Sequence, residues 1–371
     1  MAKRRFVLHV GLPHADAGTL ATALGDHAPT LAEAGVRVPA RSAGEARRAS
    51  LEIRRLHATY GHKRKEVEGS WSLLCKRARK EGAKTHDAVV FSDDLLAGAT
   101  EEQVALLLDS LTGFAVHVVA VLADPARQLA AAWGEAVRAG SDLELRRWAR
   151  RVLDPDSRLD EATAFWADQD VPAVLDRWTA ELRRPDRVHV VVPAPGEDPA
   201  RAAWGTIAEL VEVAPDLLPV TAAATAPDAT SLAVLRDVNG SVDGRADRRT
   251  RRHVVDAHLA PECAAAAGAT VPPDLHEELV ELGEAWAKAL AEGGYAVRGD
   301  TTHLVPAPLP AGRHREPSLE ERLAATTDAL ADLLVELART REQVEALEKR
   351  NAKLERKRAK LRTRLALALG D

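Results

Sequence analysis

The chain has 371 residues, of which 46% are hydrophobic and 29% charged, enough for a large globular core and an additional segment. Its formal net charge of −5 argues against a surface that as a whole binds nucleic acid. Only two cysteines occur, and no Cys/His spacing is typical of zinc, so we expect neither a disulfide framework nor a metal. Because no signal-like segment and no run of about 20 apolar residues occurs, we expect a cytoplasmic protein with no transmembrane segment.

Four short apolar runs predict buried strands, because they lack the polar alternation of a half-exposed strand. They are Phe6–Val10, Ala88–Phe91, Val116–Leu122 and Val188–Val192. Helical patterns separate these runs along the chain. This order predicts a doubly wound α/β fold, in which a parallel sheet is flanked by helices and a ligand binds at the carboxyl ends of the strands.

The helical patterns are defined by apolar spacing and by capping residues. The first three predicted helices are Thr19–Ala34, Thr100–Leu111 and Ala126–Val137. Thr100 and Gln103 have the spacing of a capping box. Further helical patterns cover 143–182, 231–238, 250–259 and 273–292, and a helix is predicted through Trp204 and Leu210. The segment 215–230 is rich in Ala, Thr and Pro and is predicted to be irregular.

The composition changes after residue 304. We divide the chain into an α/β domain at 1–304, a proline-rich linker at 305–317 and a helix at 318–371. Ser318 and Glu321 have capping-box spacing at the start of that helix.

Apolar residues of the last segment repeat every seven positions and predict a coiled coil, with Asn351 in the same heptad position as the first row. One row is Leu323, Leu330, Leu337 and Val344, and the other is Leu333, Leu347, Leu354 and Leu361, with Thr326 and Thr340 in its weaker turns. We expect a homodimer through 318–371. A single helix folded back on the body is the alternative.

Charge is divided unevenly along the same segment. Residues 349–364 contain nine basic side chains and one acid, Glu355, whereas Glu320–Glu348 is mainly acidic. The basic half can contact nucleic acid or an anionic membrane, but charges on the outer face of a coiled coil explain it more simply. The acidic half can pair with the basic half in an antiparallel arrangement.

The first predicted strand runs into a loop that contains Gly11 and Gly18, and a helical pattern follows. This layout resembles a phosphate-binding loop, where backbone N–H groups and a helix N-terminus face an anion. The strict pattern ends in Gly-Lys-Ser/Thr, and here no lysine occurs between Arg5 and Lys63.

Four motifs in this order resemble the bacterial sulfotransferase family. They are the strand followed by Gly11-Leu12-Pro13, the segment Val89–Leu96, the strand, Asp124-Pro125 turn and helix of Val118–Trp133, and Phe165–Trp178 leading into the fourth strand. The resemblance covers about residues 4–305. It implies a P-loop-type fold and transfer of a sulfuryl group from 3'-phosphoadenosine 5'-phosphosulfate (PAPS) to a hydroxyl or amine of a sugar or small metabolite.

The same resemblance assigns roles to individual residues. Gly11, Leu12, Pro13, Gly18 and Thr19 would cradle the phosphosulfate, His14 would stand in place of the family lysine, Asp94 would act as the general base, and Arg127 would be the nearest compensating cation. Asp93 and Asp94 are also suited to capping the next helix, and His14 to a solvated loop. His9, His117 and His189 lie within strands and are predicted to be satisfied core residues.

The sequence departs from the family at its second phosphate site. Ala123 and Ala131 occupy the positions of the family's phosphate-binding arginine and serine. The loss of each charge-assisted hydrogen bond weakens nucleotide binding by on the order of 1.5–3 kcal/mol. The alternative function is therefore a catalytically inactive sulfotransferase-fold scaffold or binding protein that oligomerises through its coiled coil. A basic run at 245–253 suits either an anionic ligand or a solvated helix start. An ATPase or GTPase is disfavoured, because no Walker lysine or serine is present.

Overall fold

The computed structural model describes residues 3–15, 19–80, 88–220, 229–242, 245, 271–308 and 317–369, the side chains of 366–369 excepted. The predicted contribution of Gly18, the predicted helix at 250–259 and all but Arg245 of the basic run lie outside these residues. The described chain is an α/β structure with a six-stranded parallel sheet flanked by helices, followed by one long helix.

The strands all run parallel, in the order β2-β3-β1-β4-β5-β6. They are β1 Arg5–His9, β2 Val36–Arg37, β3 Ala88–Ser92, β4 Ala115–Val121, β5 Val188–Val192 and β6 Ala296–Gly299. Four of the six correspond to the predicted apolar runs. The two additional strands are short and lie at the two edges of the sheet.

Fourteen α-helices occur in the described residues. They are α1 Thr19–Asp26, α2 Ala28–Glu33, α3 Ala43–Arg54, α4 Arg64–Val67, α5 Ser70–Arg79, α6 Glu101–Ser110, α7 Pro125–Ala139, α8 Leu145–Leu153, α9 Asp160–Gln169, α10 Val171–Leu182, α11 Pro199–Val211, α12 Ala229–Val242, α13 His276–Glu292 and α14 Leu319–Leu369. Short 3-10 helices lie at Asp94–Leu96, Pro185–Arg187, Pro215–Leu217, Pro273–Leu275 and Thr301–Leu304.

The predicted helix Thr19–Ala34 is wrong in one respect, because the structure divides it into α1 and α2. His27 is the N-cap of α2, and Pro29 occupies its first turn. A proline lacks the N–H needed inside a helix but fits the first turn of a new one. The predicted capping boxes at Thr100/Gln103 and Ser318/Glu321 are both present.

Both faces of the sheet are covered, which explains why the strands lack polar alternation. Phe6 and Leu8 of β1 pack into one core with α3, α5, α6 and α10, whereas Val7 packs into a second core with α1 and α11. Alternate residues of a strand point to opposite faces, so burial on both sides needs a continuous apolar run. A third cluster joins α7, α8, α12 and α13 beside the sheet.

Two strand histidines contact each other on neighbouring strands. Nδ1 of His117 on β4 lies 3.0 Å from Nε2 of His189 on β5, and the rings stack with centroids 5.3 Å apart. The pKa of His117 is lowered to about 4, mainly by burial and to a smaller extent by the neighbouring His189, Arg187 and Arg5. Burial, followed by Arg298, also lowers the pKa of His189. The predicted core histidines are thus partners of each other.

The pair is expected to make the fold sensitive to acid. An imidazole whose folded pKa lies near 4 and whose unfolded pKa is 6.5 binds protons first in the unfolded chain, so stability falls as pH drops from 6.5 towards 4. Urea denaturation of the wild type and of His117→Gln/His189→Gln at pH 7 and pH 5 measures this. We expect the variant to lose less of its free energy of unfolding over that interval. Equal losses would contradict the assignment.

Candidate functional site

The carboxyl end of β1 is the topological switch point of the sheet. From β1 the chain proceeds to β2 and β3 on one side and then to β4, β5 and β6 on the other. In open parallel sheets, ligands bind in the crevice outside such a point. The residues that follow β1 are those of the predicted phosphate-binding loop.

The first part of this loop is fastened to β4. The backbone N–H of Val10 donates to Val119 O at 2.9 Å, and that of Leu12 donates to Val121 O at 3.1 Å. The N–H of Ala15 donates back to Leu12 O at 3.2 Å, and Pro13 has no N–H. Leu12 is also buried in the core below the sheet edge. Much of the loop's backbone hydrogen bonding is therefore directed into the fold, not towards an anion.

Gly11 brings this loop against the loop that follows β3. Its φ is +60°, and a Cβ at this position would lie 2.9 Å from Cβ of Asp94. Only glycine meets both conditions without strain. Gln169, at the end of α9, holds the loop from the other side by donating from Nε2 to Pro13 O at 2.9 Å. His14 follows in a left-handed conformation with φ of +72°.

The two predicted catalytic residues lie on the same side of the sheet edge. Asp94 begins the 3-10 helix after β3, and His14 is near enough to act electrostatically on the carboxyl groups of both Asp94 and Asp168. The structure therefore brings His14 and Asp94 together. Thr19 is the first residue of α1, and Arg127 is an exposed residue of α7 whose backbone N–H donates to Asp124 Oδ1 at 2.9 Å.

Arg47 of α3 lies between the two aspartates. Its Nη2 is 2.8 Å from Asp94 Oδ1, and its Nε is 3.2 Å from Asp93 Oδ2. Asp93 also accepts a hydrogen bond from Leu95 N at 3.0 Å, so it caps the 3-10 helix, as the sequence suggested for this pair. Charge-assisted contacts of this kind are shorter and stronger than neutral ones.

The environment shifts the pKa values of the two carboxyl groups in opposite directions. Burial raises the pKa of Asp93 to about 7, since the Asp93 side chain is only 2% exposed and Asp94 adds a second negative charge. Burial alone would also raise the pKa of Asp94, but Arg47 and then His14 outweigh it and hold that pKa below its ordinary value. Asp94 is thus a stabilised anion, which makes it a weak proton acceptor while Arg47 stays in place.

A second arginine from the same helix is paired in the same way. Nη1 of Arg54 lies 2.9 Å from Asp168 Oδ1 and donates to Leu95 O at 2.6 Å. The absence of a side chain at Gly98 makes room for this pair, because a Cβ there would overlap the Asp168 carboxylate. Burial raises the pKa of Asp168, and Arg54 offsets part of that effect.

Two further groups complete the cluster. Burial raises the pKa of Tyr60 to about 12, with Arg47 opposing this shift and Glu135 supporting it. Burial lowers the pKa of His9 to about 4, so its ring is neutral near pH 7. Its Nδ1 lies 2.8 Å from Ser92 Oγ, while its Nε2 is buried with no hydrogen-bond partner in the described part of the chain. His9 is therefore only half satisfied, contrary to the prediction for this residue.

Sequence reasoning missed most of this cluster. The apolar patterns predict no helix or strand between residues 36 and 87, and Arg47, Arg54 and Tyr60 all come from that interval. Asp168 and Gln169 lie inside a motif that carried the family resemblance, but nothing in the local pattern indicates their contacts. The one available signal was composition, since α3 carries three arginines, Arg47, Arg48 and Arg54, among small residues.

A separate cleft of about 810 Å³ lies beside the edge strand β6 and α11. Trp204, Arg201 and Arg298 line it, and Arg298 Nη2 pairs with Glu209 Oε2 at 2.5 Å. Its lining does not include the loop after β1. Within the ranges described above, no three His, Cys, Asp or Glu side chains come together as metal ligands. No helix among them is long and apolar enough to cross a membrane.

Helix α14 presents a second candidate surface. Leu333 among its heptad residues is partly covered, and seven others are between 48% and 64% exposed: Leu323, Leu330, Leu337, Val344, Leu347, Leu354 and Leu361. Its first turns are anchored to the body, where Arg322 Nη1 lies 2.9 Å from Asp237 Oδ2 of α12. A contiguous exposed apolar face of this kind marks an interaction site.

Comparison of the chain with protein-family models, with curated proteins and with solved structures gave no match.

The ion pairs at the sheet edge should contribute to stability. Arg47→Ala leaves Asp93 buried without its cation, and we expect a loss of about 2 kcal/mol, less than for a fully buried pair because Arg47 is 37% exposed. Urea denaturation at pH 7 measures it. Arg64→Ala, which removes an exposed pair with Glu68, serves as control and should change stability by less than about 0.5 kcal/mol.

The double variant Arg47→Ala/Asp93→Asn separates the loss of a charge partner from the loss of packing. Asparagine can still cap the 3-10 helix and carries no buried charge, so we expect it to recover about half of the loss. If the double variant is as unstable as Arg47→Ala alone, the aspartate charge is not the cause.

Proposed function

We propose that this chain is a self-associating scaffold, built from an α/β body of sulfotransferase type and a coiled-coil helix, and that its body does not use PAPS. One observation carries this proposal. Arg47 and Arg54, whose partners Asp94 and Asp168 lie beside the loop after β1, are each held in ion pairs with carboxylates.

A nucleotide that carries a phosphosulfate and a 3'-phosphate needs cationic side chains that are not already paired with carboxylates. To bind a phosphate, Arg47 would have to leave two aspartates, one of them almost fully buried. Separating Arg47 from these aspartates costs about 2 kcal/mol, the loss expected for Arg47→Ala, and rearrangement does not remove the aspartates. The carboxylates would then face the incoming anion and repel it.

The remaining positions of the resemblance support the same proposal. His14 stands where the family has lysine, and its imidazole is shorter than a lysine side chain. Ala123 and Ala131, at the positions of the second phosphate site, are both nearly buried and offer no side-chain donor. Together with the paired arginines, this leaves little in the described residues to balance several negative charges.

Titration of 3'-phosphoadenosine 5'-phosphate into the full chain tests the body's role. We expect no binding heat at millimolar nucleotide for either the wild type or His14→Ala, because the arginines described beside the loop are already paired with carboxylates. Isothermal calorimetry is carried out at low ionic strength, where electrostatic binding of the nucleotide is strongest because salt screens such contacts. Micromolar binding that His14→Ala weakens would overturn the scaffold proposal.

That opposite result would support the second candidate, sulfuryl transfer from PAPS to a hydroxyl or amine of a sugar or small metabolite. The observation that favours this candidate is the convergence of His14 and Asp94 at the switch point, where His14 keeps a left-handed backbone rare outside glycine. The residues from Gly11 to Thr19 would then cradle the nucleotide, with Arg127 nearby. Asp94 would take the acceptor's proton as the sulfur–oxygen bond to the nucleotide breaks and the bond to the acceptor forms.

Self-association through α14 is the functional part of the scaffold proposal. The two rows of heptad residues form a mainly apolar stripe over about six heptads, interrupted by Thr326, Thr340, Asn351 and Arg358, and most of that stripe is exposed in the single chain. A second copy of the same helix is the partner that offers a stripe of the same length and spacing. The folded-back alternative would need these leucines to be covered, but of the described heptad leucines only Leu333 is partly covered and the others are exposed.

A charge placed in the stripe should prevent dimer formation. Leu337→Glu buries a carboxylate at the centre of the interface, whereas Ala338→Glu places the same side chain one residue away on the outer face. Sedimentation equilibrium of the full chains at micromolar concentration is expected to give twice the chain mass for the wild type and Ala338→Glu, and the chain mass for Leu337→Glu. A monomeric wild type would contradict the proposal.

A further inference from the structure

The charges of α14 are separated along its length. From Leu319 to Glu348 the helix carries eight acidic and three basic residues, whereas Lys349 to Leu369 carries nine basic residues and one acid. All of the residues from Thr340 to Leu365 are exposed, and so available to a partner helix. Two copies of such a helix repel each other end to end when parallel, and attract each other when antiparallel.

We infer that α14 pairs with a second copy in the antiparallel direction, so that the acidic half of each helix lies against the basic half of the other. This inference rests on the proposed function, because it specifies how the proposed dimer is built. The binding partner of the exposed stripe is then a second copy of this chain.

The polar residues inside the stripe select one register. In an antiparallel coiled coil, each residue of the first row faces one of the second row on the other helix. When Val344 faces Leu347 of the second copy, Leu337 faces Leu354, Leu330 faces Leu361, and Asn351 faces Thr340. Shifting the helices by one heptad in either direction would place Asn351 against Leu333 or Leu347, which leaves its amide without a polar neighbour.

The flanking charges agree with this register. Glu336, beside the stripe, faces Arg350 and Lys357 of the second copy, and Arg341 faces Glu348 and Glu355. Two kinds of like-charge contact remain, Glu348 against its own copy at the centre and Arg322 against Arg364 at each end. These positions flank an a/d stripe and are the ones that set partner orientation in coiled coils.

The parallel alternative contains a worse conflict at the basic end. Arg358 occupies the first-row position, so in a parallel pair it would face its own copy inside the stripe, and Lys357 would face Arg362. In the antiparallel register Arg358 faces Leu333, and its methylene stem can pack there while the guanidinium reaches solvent. The two favourable parallel pairs, Glu336 with Arg341 and Arg350 with Glu355, do not remove that conflict.

The attachment of α14 to the body leaves room for the second helix. Arg322, Ala325, Ala329, Leu333 and Glu336 are partly covered along the side of α14 that starts at α12, whereas the first-row residues Leu323, Leu330 and Leu337 are 64%, 55% and 52% exposed. A helix of 51 residues is about 75 Å long, so antiparallel pairing places the two bodies at opposite ends. The bodies then do not compete for space.

Spin-label distances measure the orientation directly. We would use full-length chain with Cys263→Ser, in which Cys75 is buried, and attach the label at Ala324→Cys on the outer face. In the antiparallel dimer the two labels are separated by about 40 residues of helix, roughly 60 Å. In a parallel dimer they lie about 20 Å apart, set by the distance between helix axes and the label arms.

Disulfide cross-linking then tests the register. In the same background, an equimolar mixture of Leu330→Cys and Leu361→Cys is expected to oxidise to a covalent mixed dimer, while Leu330→Cys alone stays uncross-linked. Covalent dimers of Leu330→Cys alone, or a label distance near 20 Å, would overturn the antiparallel arrangement. The mass of each sample by sedimentation is the control. A dimer with the short distance overturns the orientation alone, and a monomer overturns the proposed function together with it.

Discussion

The position of Arg47 between Asp93 and Asp94 depends on a close approach of two chain segments. Gly11 has no Cβ, so the loop after β1 can lie against Asp94, and both aspartates directly follow β3, the strand that pairs with β1. Once two carboxylates are placed at a buried sheet edge, a cation has to accompany them or they must take up protons. Arg47 supplies that cation from α3. The resulting ion pairs place both positive and negative charge beside the switch point.

That pairing limits how strongly an anion is attracted to the loop that resembles a phosphate site. A helix N-terminus or a glycine loop attracts an anion only as far as the surrounding charges permit. Here the surroundings contain Asp93, Asp94 and Asp168 and the arginines that neutralise them, and the same ion pairs that stabilise the crevice reduce its attraction for a phosphate. Structure and ligand binding therefore compete for the same side chains.

The fold could be predicted from the sequence further than the site could. Strands such as Val188–Val192 are recognisable because burial on two faces requires an unbroken apolar run, and capping residues act within three or four positions of the chain. Edge strand β2 has only two residues, too few for any pattern. The contacts of the site join residues far apart, as Arg54 and Asp168 are separated by 114 positions, and no periodicity encodes such a pair.

The charge pattern of α14 needs an explanation beyond the stability of a single helix. Acidic residues near a helix N-terminus and basic residues near its C-terminus favour the helix dipole, but that effect is confined to the first and last turns. Lys349 lies 20 residues before the end of the helix at Leu369. The basic residues of 349–358 are therefore too far from the C-terminus to gain from the dipole, and a close row of like charges on an isolated helix costs free energy. An acidic partner surface of equal length turns that cost into attraction, and the first half of the same helix provides one.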